Sequence, residues 1–122
     1  MDLNDLTFRD TYTHTILHPI TQTPVLHKDG QPQTITLHGS DSKGYRNALA
    51  EVGRLGLTDP DERLAAFLAL ITIAWHIYAG GADVKIEDAR ATYAAMPPQI
   101  RDQLFTAASD RANFFAGPST GS

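Results

Sequence analysis

With 122 residues, 42% of them hydrophobic, the chain is long enough to bury one real core and too short for two ordinary domains. A formal charge of −4 without any Lys/Arg cluster argues against a nucleic-acid binder, and a charged share of 20% excludes a disordered acidic or basic tail. The absence of cysteine excludes disulfides and thiolate-held metals and fits an intracellular protein.

The first residues, Met1-Asp-Leu-Asn-Asp-Leu6, are acidic and lack the apolar stretch of a secretory signal. Residues 1–10 read as a lead-in. Thr11–His18 alternates Tyr12, His14 and Ile16 against threonines and predicts a strand. Val25–Lys28 is a candidate second strand, running into the hairpin-turn signal Asp29-Gly30. Pro32 belongs at a strand start or on an edge, because it has no N–H for the ladder. Thr34–His38 alternates cleanly, with Ile35 and Leu37 on one face. Residues 11–39 are therefore expected to form a small antiparallel β-meander of two or three strands. Such a sheet needs helices to cover its apolar face.

The period changes after His38. Gly39-Ser-Asp-Ser42 offers cap oxygens for a helix over about 42–55, with Tyr45, Ala48, Leu49, Val52 and Leu55 on one face. Gly53 or Gly56 can end it. Thr58 or Asp59 can cap the next helix, where Pro60 suits the first turn and Asp61 and Glu62 match the positive end of the dipole. The longest apolar run follows, and helical spacing predicts one helix over 60–79. Leu64, Phe67, Leu68, Ile71, Trp75 and Tyr78 form one stripe, and Ala66, Leu70, Ile73 and Ile77 a second. Gly80-Gly81 stops it. Residues 87–96 form a third helix with Ala89, Tyr93 and Met96 inward. Pro97-Pro98 starts a fourth over 98–115, with Ile100, Leu104, Ala107, Ala108, Phe114 and Phe115 on its apolar face. Residues 117–122 are expected to be a flexible tail. The expected fold class is α+β: a single domain over 11–116, with the β-meander followed by a bundle of about four helices.

Chemistry is sparse. His14 and His18 share a strand face but lie about 13 Å apart at a rise of about 3.3 Å per residue, too far to share an ion. Another strand could bring His38 near one of them, but His14, His18, His27 and His38 read more simply as solvent-facing strand histidines, so no metal site is expected. Ser40 and Ser42 are better explained as helix caps than as nucleophiles. Gly80-Gly81 follows a helix where a phosphate loop would open one. The carboxylates Asp59, Asp61 and Glu62 match a helix start. No catalytic residue, no cofactor and no enzyme activity are expected. The apolar run Leu64–Ala79 is shorter than the roughly 20 residues that span a bilayer, so no membrane segment is expected either. Arg111 interrupts the apolar stripe of the last helix. Its guanidinium either snorkels out along its stem, pairs with a buried acid, or meets a partner chain.

Several stretches together resemble a family. Leu17-His-Pro-Ile-Thr-Gln-Thr-Pro-Val25 is similar to the "hPxTGxPl" segment of small tail proteins from long-tailed bacteriophages, although Thr21-Gln-Thr23 lacks the turn glycine. Leu37-His-Gly-Ser-Asp-Ser-Lys-Gly-Tyr-Arg46 resembles their "l.G.DS..yr" junction into the first helix. Residues 86–104 and Ser109-Asp-Arg-Ala-Asn-Phe114 resemble the "enar.ly...p.i.eqv......dr.nFl" pattern of phage tail assembly chaperones, with Phe115 in place of a more usual leucine. The likeness covers roughly residues 15–115. It implies a non-catalytic protein of the host bacterial cytoplasm, absent from the mature virion. It also implies binding to the tape measure protein, a long helical chain, and recruitment of tail tube protein around it. In this family a ribosomal frameshift often yields a longer form whose added domain contacts the tube protein. The resemblance leaves room for two other roles: a structural minor tail or head–tail protein retained in the virion, and a small bacterial protein-binding module.

A helix apolar nearly all round is either wrapped by its own chain or meets something else. From the helix faces, Leu70, Ile73, Ile77, Phe105, Arg111 and Phe114 are the candidate partner-binding residues, for tape measure helices or for a homo-oligomer. No nucleic-acid partner is expected.

Overall fold

The computed structural model describes residues 9–114, without the side chains of Arg111 and Ala112. Its architecture is α+β, a three-stranded antiparallel sheet covered by four helices. The middle strand carries the design. Thr34–His38 (β2) alternates as expected, with Ile35 and Leu37 fully buried and the residues between them half-buried. Thr11–Thr15 (β1) pairs with it antiparallel, Tyr12 opposite Leu37 and His14 opposite Ile35. On the other face Thr13 and Thr36 join hydroxyls at 2.8 Å.

The third strand is a correction. Residues 60–79 do not form one helix. The helix Pro60–Ile71 (α2) stops, and Thr72–His76 (β3) pairs with the free edge of β2. The switch falls within Ile71-Thr72-Ile73, three β-branched residues in a row, which favour strand over helix. Thr72 sits at the joint with φ −85° and ψ 125°, and its hydroxyl donates back to the Leu68 carbonyl at 2.6 Å. The open ladder of β2 supplies the tertiary reason, since a two-stranded sheet leaves that edge unpaired. The register slips between Thr36 and Leu37, so Ile73 has no opposite residue and bulges out.

Of the two or three strands expected over residues 11–39, two form. Val25–Lys28 is not a strand; single bridges, Leu17 to Pro24 and Leu26 to Pro32, fold residues 16–33 into two tight loops. In the first, Gln22 adopts φ 57°, the one non-glycine residue at positive φ among those described. It stands where the tail-protein pattern has its glycine. Gly80-Gly81 is likewise not a helix stop. Both have positive φ (61° and 87°) and turn the short hairpin Tyr78–Ala79 (β4) into Ala82–Asp83 (β5). Two consecutive positive φ values are what a two-residue type I′ hairpin requires, and glycine adopts them without strain.

The remaining helices fall close to their sequence signals. Lys43–Leu55 (α1) is capped by the Ser42 hydroxyl, which accepts from the Tyr45 N–H at 3.2 Å, and ends on Gly56 at φ 67°. Its buried face is Tyr45, Ala48 and Val52; Leu49 and Leu55, expected on that face, are exposed. Asp59 caps α2 by accepting from the Glu62 N–H. A 3-10 turn over Ile86–Asp88 leads into Ala89–Ala95 (α3). Pro98–Ser109 (α4) ends earlier than expected, and Arg111–Phe114 forms a separate 3-10 turn. Phe115 and residues 117–122 lie outside the described residues.

The core gathers Ile35 and Leu37 from the sheet with Leu68, Ile71, Tyr93, Leu104 and Ala108 from the helices, all essentially unexposed. Two glutamines act as backbone substitutes at its edges. Gln103 on α4 accepts from the Leu17 N–H at 3.0 Å and donates to the Leu17 carbonyl at 2.6 Å. Gln33 accepts from the Tyr78 N–H at 3.0 Å and donates to the Leu26 carbonyl at 3.2 Å. Among the described residues no helix is long and apolar enough to cross a membrane.

Candidate functional site

The break at Thr72 dissolves the surface expected from one long helix. Leu70 stays on α2 and is 42% exposed. Ile73 is 43% exposed, but on the bulge of β3 and so no longer on Leu70's helical face. Ile77 is buried, because the chain past His76 turns its side chain into the core. Phe114 is also buried: its ring lies over Gly39, where an added Cβ would approach it to 2.6 Å. Phe105 is 41% exposed, with its ring edge toward Phe67 at 6.2 Å. The Arg111 side chain lies outside the described residues. The basic side chain that α4 does bury is Arg101, 5% exposed, with a guanidinium nitrogen 3.8 Å from Asp61 and its Nε without a hydrogen bond among the described residues. Three residues of the expected set, Leu70, Ile73 and Phe105, therefore reach solvent.

Leu70 has different neighbours from those expected. With Leu55 at the end of α1 and Ile86 before α3, it lines a groove of about 350 Å³ floored by Ala66, Ala69 and Ala89. Leu55, Leu70 and Ile86 are 41%, 42% and 36% exposed, a high share for large aliphatic side chains. Glu51, Glu87 and Arg90 form the rim. The floor is alanine, so a partner side chain can come close to the α2 backbone. The signal for this groove lay in Leu55, which helical periodicity assigned to a core face, and in Ile86, which stands just before the expected third helix.

A polar cluster lies at the opposite sort of place, where two hairpins meet. The Asp29-Gly30 turn holds one side: Asp29 Oδ1 accepts from the Gln31 N–H at 2.8 Å, and Gly30 takes φ 87°. The Gly80-Gly81 turn returns Asp83 to the same spot. His27 lies between them, 8% exposed. Its Nε2 is hydrogen-bonded to Asp83, and its Nδ1 is 3.3 Å from Asp29 Oδ1. The end of β3 adds His76, whose ring stacks on that of His27 at 4.1 Å and 14° and whose Nε2 is 3.0 Å from Asp29 Oδ2. The Gln31 N–H holds the Asp29 carboxyl below the usual carboxylate range, against some desolvation and with help from His27 and His76. Donor atoms of His27, Asp29 and His76 all lie within 4.8 Å of one another, a grouping that could hold a metal ion. Sequence reasoning missed this cluster because it put His76 on a helix and His27 on a separate strand.

No Ser–His or Cys–His pair accompanies either place among the described hydrogen bonds. No family model, curated protein or solved structure matches the chain.

Proposed function

We propose that the chain is a non-catalytic tail assembly chaperone of a long-tailed bacteriophage. It binds apolar faces of the tape measure protein and helps to recruit tail tube subunits. The observation that carries this reading is the Leu55–Leu70–Ile86 groove, apolar at its centre and charged at its rim. Contiguous exposed apolar surface of this kind marks interaction sites, and a groove between helices suits an amphipathic helix presenting its apolar stripe. The positive φ of Gln22, at the glycine position of the tail-protein pattern, adds support from the backbone.

Co-expression with a tape measure protein, the long helical partner this reading names, tests it. The wild-type chain should keep that protein soluble and co-purify with it. Leu70→Asp together with Ile86→Asp should abolish co-purification with little change in melting temperature, because both side chains already reach water. Co-purification by the double variant at the wild-type level would refute the groove as the binding surface. Ile77→Asp is the contrasting control and should unfold the domain, since it places a charge in the core.

A further inference from the structure

We propose that His27, Asp29 and His76 form a binding site for a divalent transition ion of the zinc class, with Asp83 as the carboxylate that orients His27. The argument begins with the proton on His27. Its Nε2 is hydrogen-bonded to the Asp83 carboxylate, and a carboxylate only accepts, so Nε2 carries the hydrogen. In the neutral ring this leaves Nδ1 as the acceptor, and it takes a hydrogen bond from the Asp29 N–H. Its lone pair faces Asp29, with the backbone N–H at 3.1 Å and Oδ1 at 3.3 Å. On this side chain, only 7% exposed, the Asp29 N–H offsets the approach of Oδ1, and a metal ion would take the place of that N–H on the lone pair. A carboxylate fixing the far nitrogen of a histidine, so that the near nitrogen is free to ligate, is the usual outer shell of a histidine-bound metal.

The distances agree with that assignment. Bonds of about 2.0–2.1 Å in a tetrahedral shell set neighbouring donors about 3.3 Å apart. The Nδ1–Oδ1 separation is 3.3 Å and the Oδ2–Nε2 separation to His76 is 3.0 Å, each to a different oxygen of Asp29, so the carboxylate would turn to offer one oxygen to both nitrogens. The rings also need adjustment. The two imidazoles are nearly parallel, so an ion in the plane of one ring lies off the plane of the other. The His76 side chain is 41% exposed and has room on its solvent side to tilt. Two imidazoles and one carboxylate, in a chain without cysteine, select zinc, cobalt or nickel over calcium and magnesium, which take mostly oxygen ligands. A fourth position opens to water on the His76 side. The ion would tie the loop after β1 to the end of β3, a site independent of the groove and of any role in tail assembly.

The test uses the full chain without an affinity tag, stripped with chelator and titrated with Zn²⁺ by calorimetry and with Co²⁺ by visible spectroscopy. One equivalent should bind, with Co²⁺ giving ligand-field bands that Zn²⁺ displaces. Zinc at about 100 times its Kd should raise the melting temperature by roughly 10 °C. His76→Ala and Asp29→Asn, both at exposed or half-exposed side chains, should each weaken binding at least tenfold while the apo-protein still melts cooperatively. His14→Ala and His18→Ala should leave it unchanged. Absence of binding at millimolar metal would overturn the proposal. So would one-equivalent binding that survives both His76→Ala and Asp29→Asn.

Discussion

Two glycines of the same helix should respond in opposite ways to one methyl group. Gly44 and Gly53 both lie in α1. In an exposed helix interior, replacing glycine by alanine stabilises by about 1 kcal/mol, because alanine loses less backbone freedom on folding. Gly53 meets that condition, with nothing within 4 Å of an added Cβ. At Gly44 the added Cβ would stand 2.5 Å from Cγ, Cδ2 and Nδ1 of His38. Carbon atoms in contact prefer about 3.5–4.0 Å, so more than an ångström has to be found. Cγ is the root of the ring, and rotating its far end away does not clear it; the end of β2 or the first turn of α1 must move. Overpacking of this kind costs about 1–3 kcal/mol, which outweighs the helix gain. Gly53→Ala should therefore be stabilised by up to about 1 kcal/mol and Gly44→Ala destabilised by about 1–2 kcal/mol. In thermal melts followed by circular dichroism the two should lie roughly 10 °C apart. Adding His38→Ala to Gly44→Ala should recover part of the loss. Equal melting temperatures for the two single variants would show that β2 and α1 do not pack as described.

Two further outcomes follow from single side chains. Tyr93 is fully buried, with its hydroxyl 2.6 Å from that of Thr72, and burial raises its pKa well above the ordinary tyrosine value. The unfolded chain ionises this group near pH 10 while the folded one keeps its proton, so its share of stability is intact below that pH and falls above it by about 1.4 kcal/mol per pH unit. The slope should be smaller in Tyr93→Phe, and denaturant melts between neutral and alkaline pH that fall in parallel for both proteins would refute it. Gln22→Gly should be neutral or stabilising by up to about 1 kcal/mol, whereas Gln22→Val should cost about 1–2 kcal/mol, since positive φ is hardest on a β-branched residue; a Val variant as stable as the wild type would show that Gln22 is not held there.

The fold was legible where local chemistry and burial agree. Ser42, Asp59 and Pro60 mark helix starts because their own atoms do the capping, and Ile35 and Leu37 mark the middle strand because alternation needs only one buried face. The central run was misread for a physical reason. A segment buried on several sides shows apolar residues at both helical and strand spacing, and periodicity then cannot choose. The choice at Thr72 was made by three β-branched residues and by the unpaired edge of β2, a partner almost forty residues away in sequence. The same error hid the polar cluster. On a helix His76 points away from the N-terminal loops; at the end of a strand beside β2 it lies on His27. The groove was half-legible: Leu70 was among the candidate partner-binding residues, but its neighbours Leu55 and Ile86 come from elements whose packing a single chain does not declare.

Many of the residues behind the tail-protein resemblance pack in a seam, while Ile86, Glu87, Ala89 and Arg90 reach the groove. Gly39 leaves space for the Phe114 ring, the Ser40 N–H donates to the Ala108 carbonyl at 2.9 Å, and Asn113 donates to Ala107 at 3.0 Å. The junction before α1 and the turn after α4 are thus two halves of one packed contact. Ser42, Tyr45, Ala89, Tyr93, Ile100 and Leu104, from the same stretches, are buried too. Buried positions of this kind specify how a chain folds, through close approach and caps, and they say little about what it binds. Recognition of a tape measure helix would instead fall to the groove, where the likeness contains Ile86, Glu87 and Arg90 but not Glu51, Leu55 or Leu70. On the proposed reading, partner choice would then lie in a few exposed groove residues. Swapping Leu55 and Leu70 alone should therefore shift partner preference without disturbing the seam.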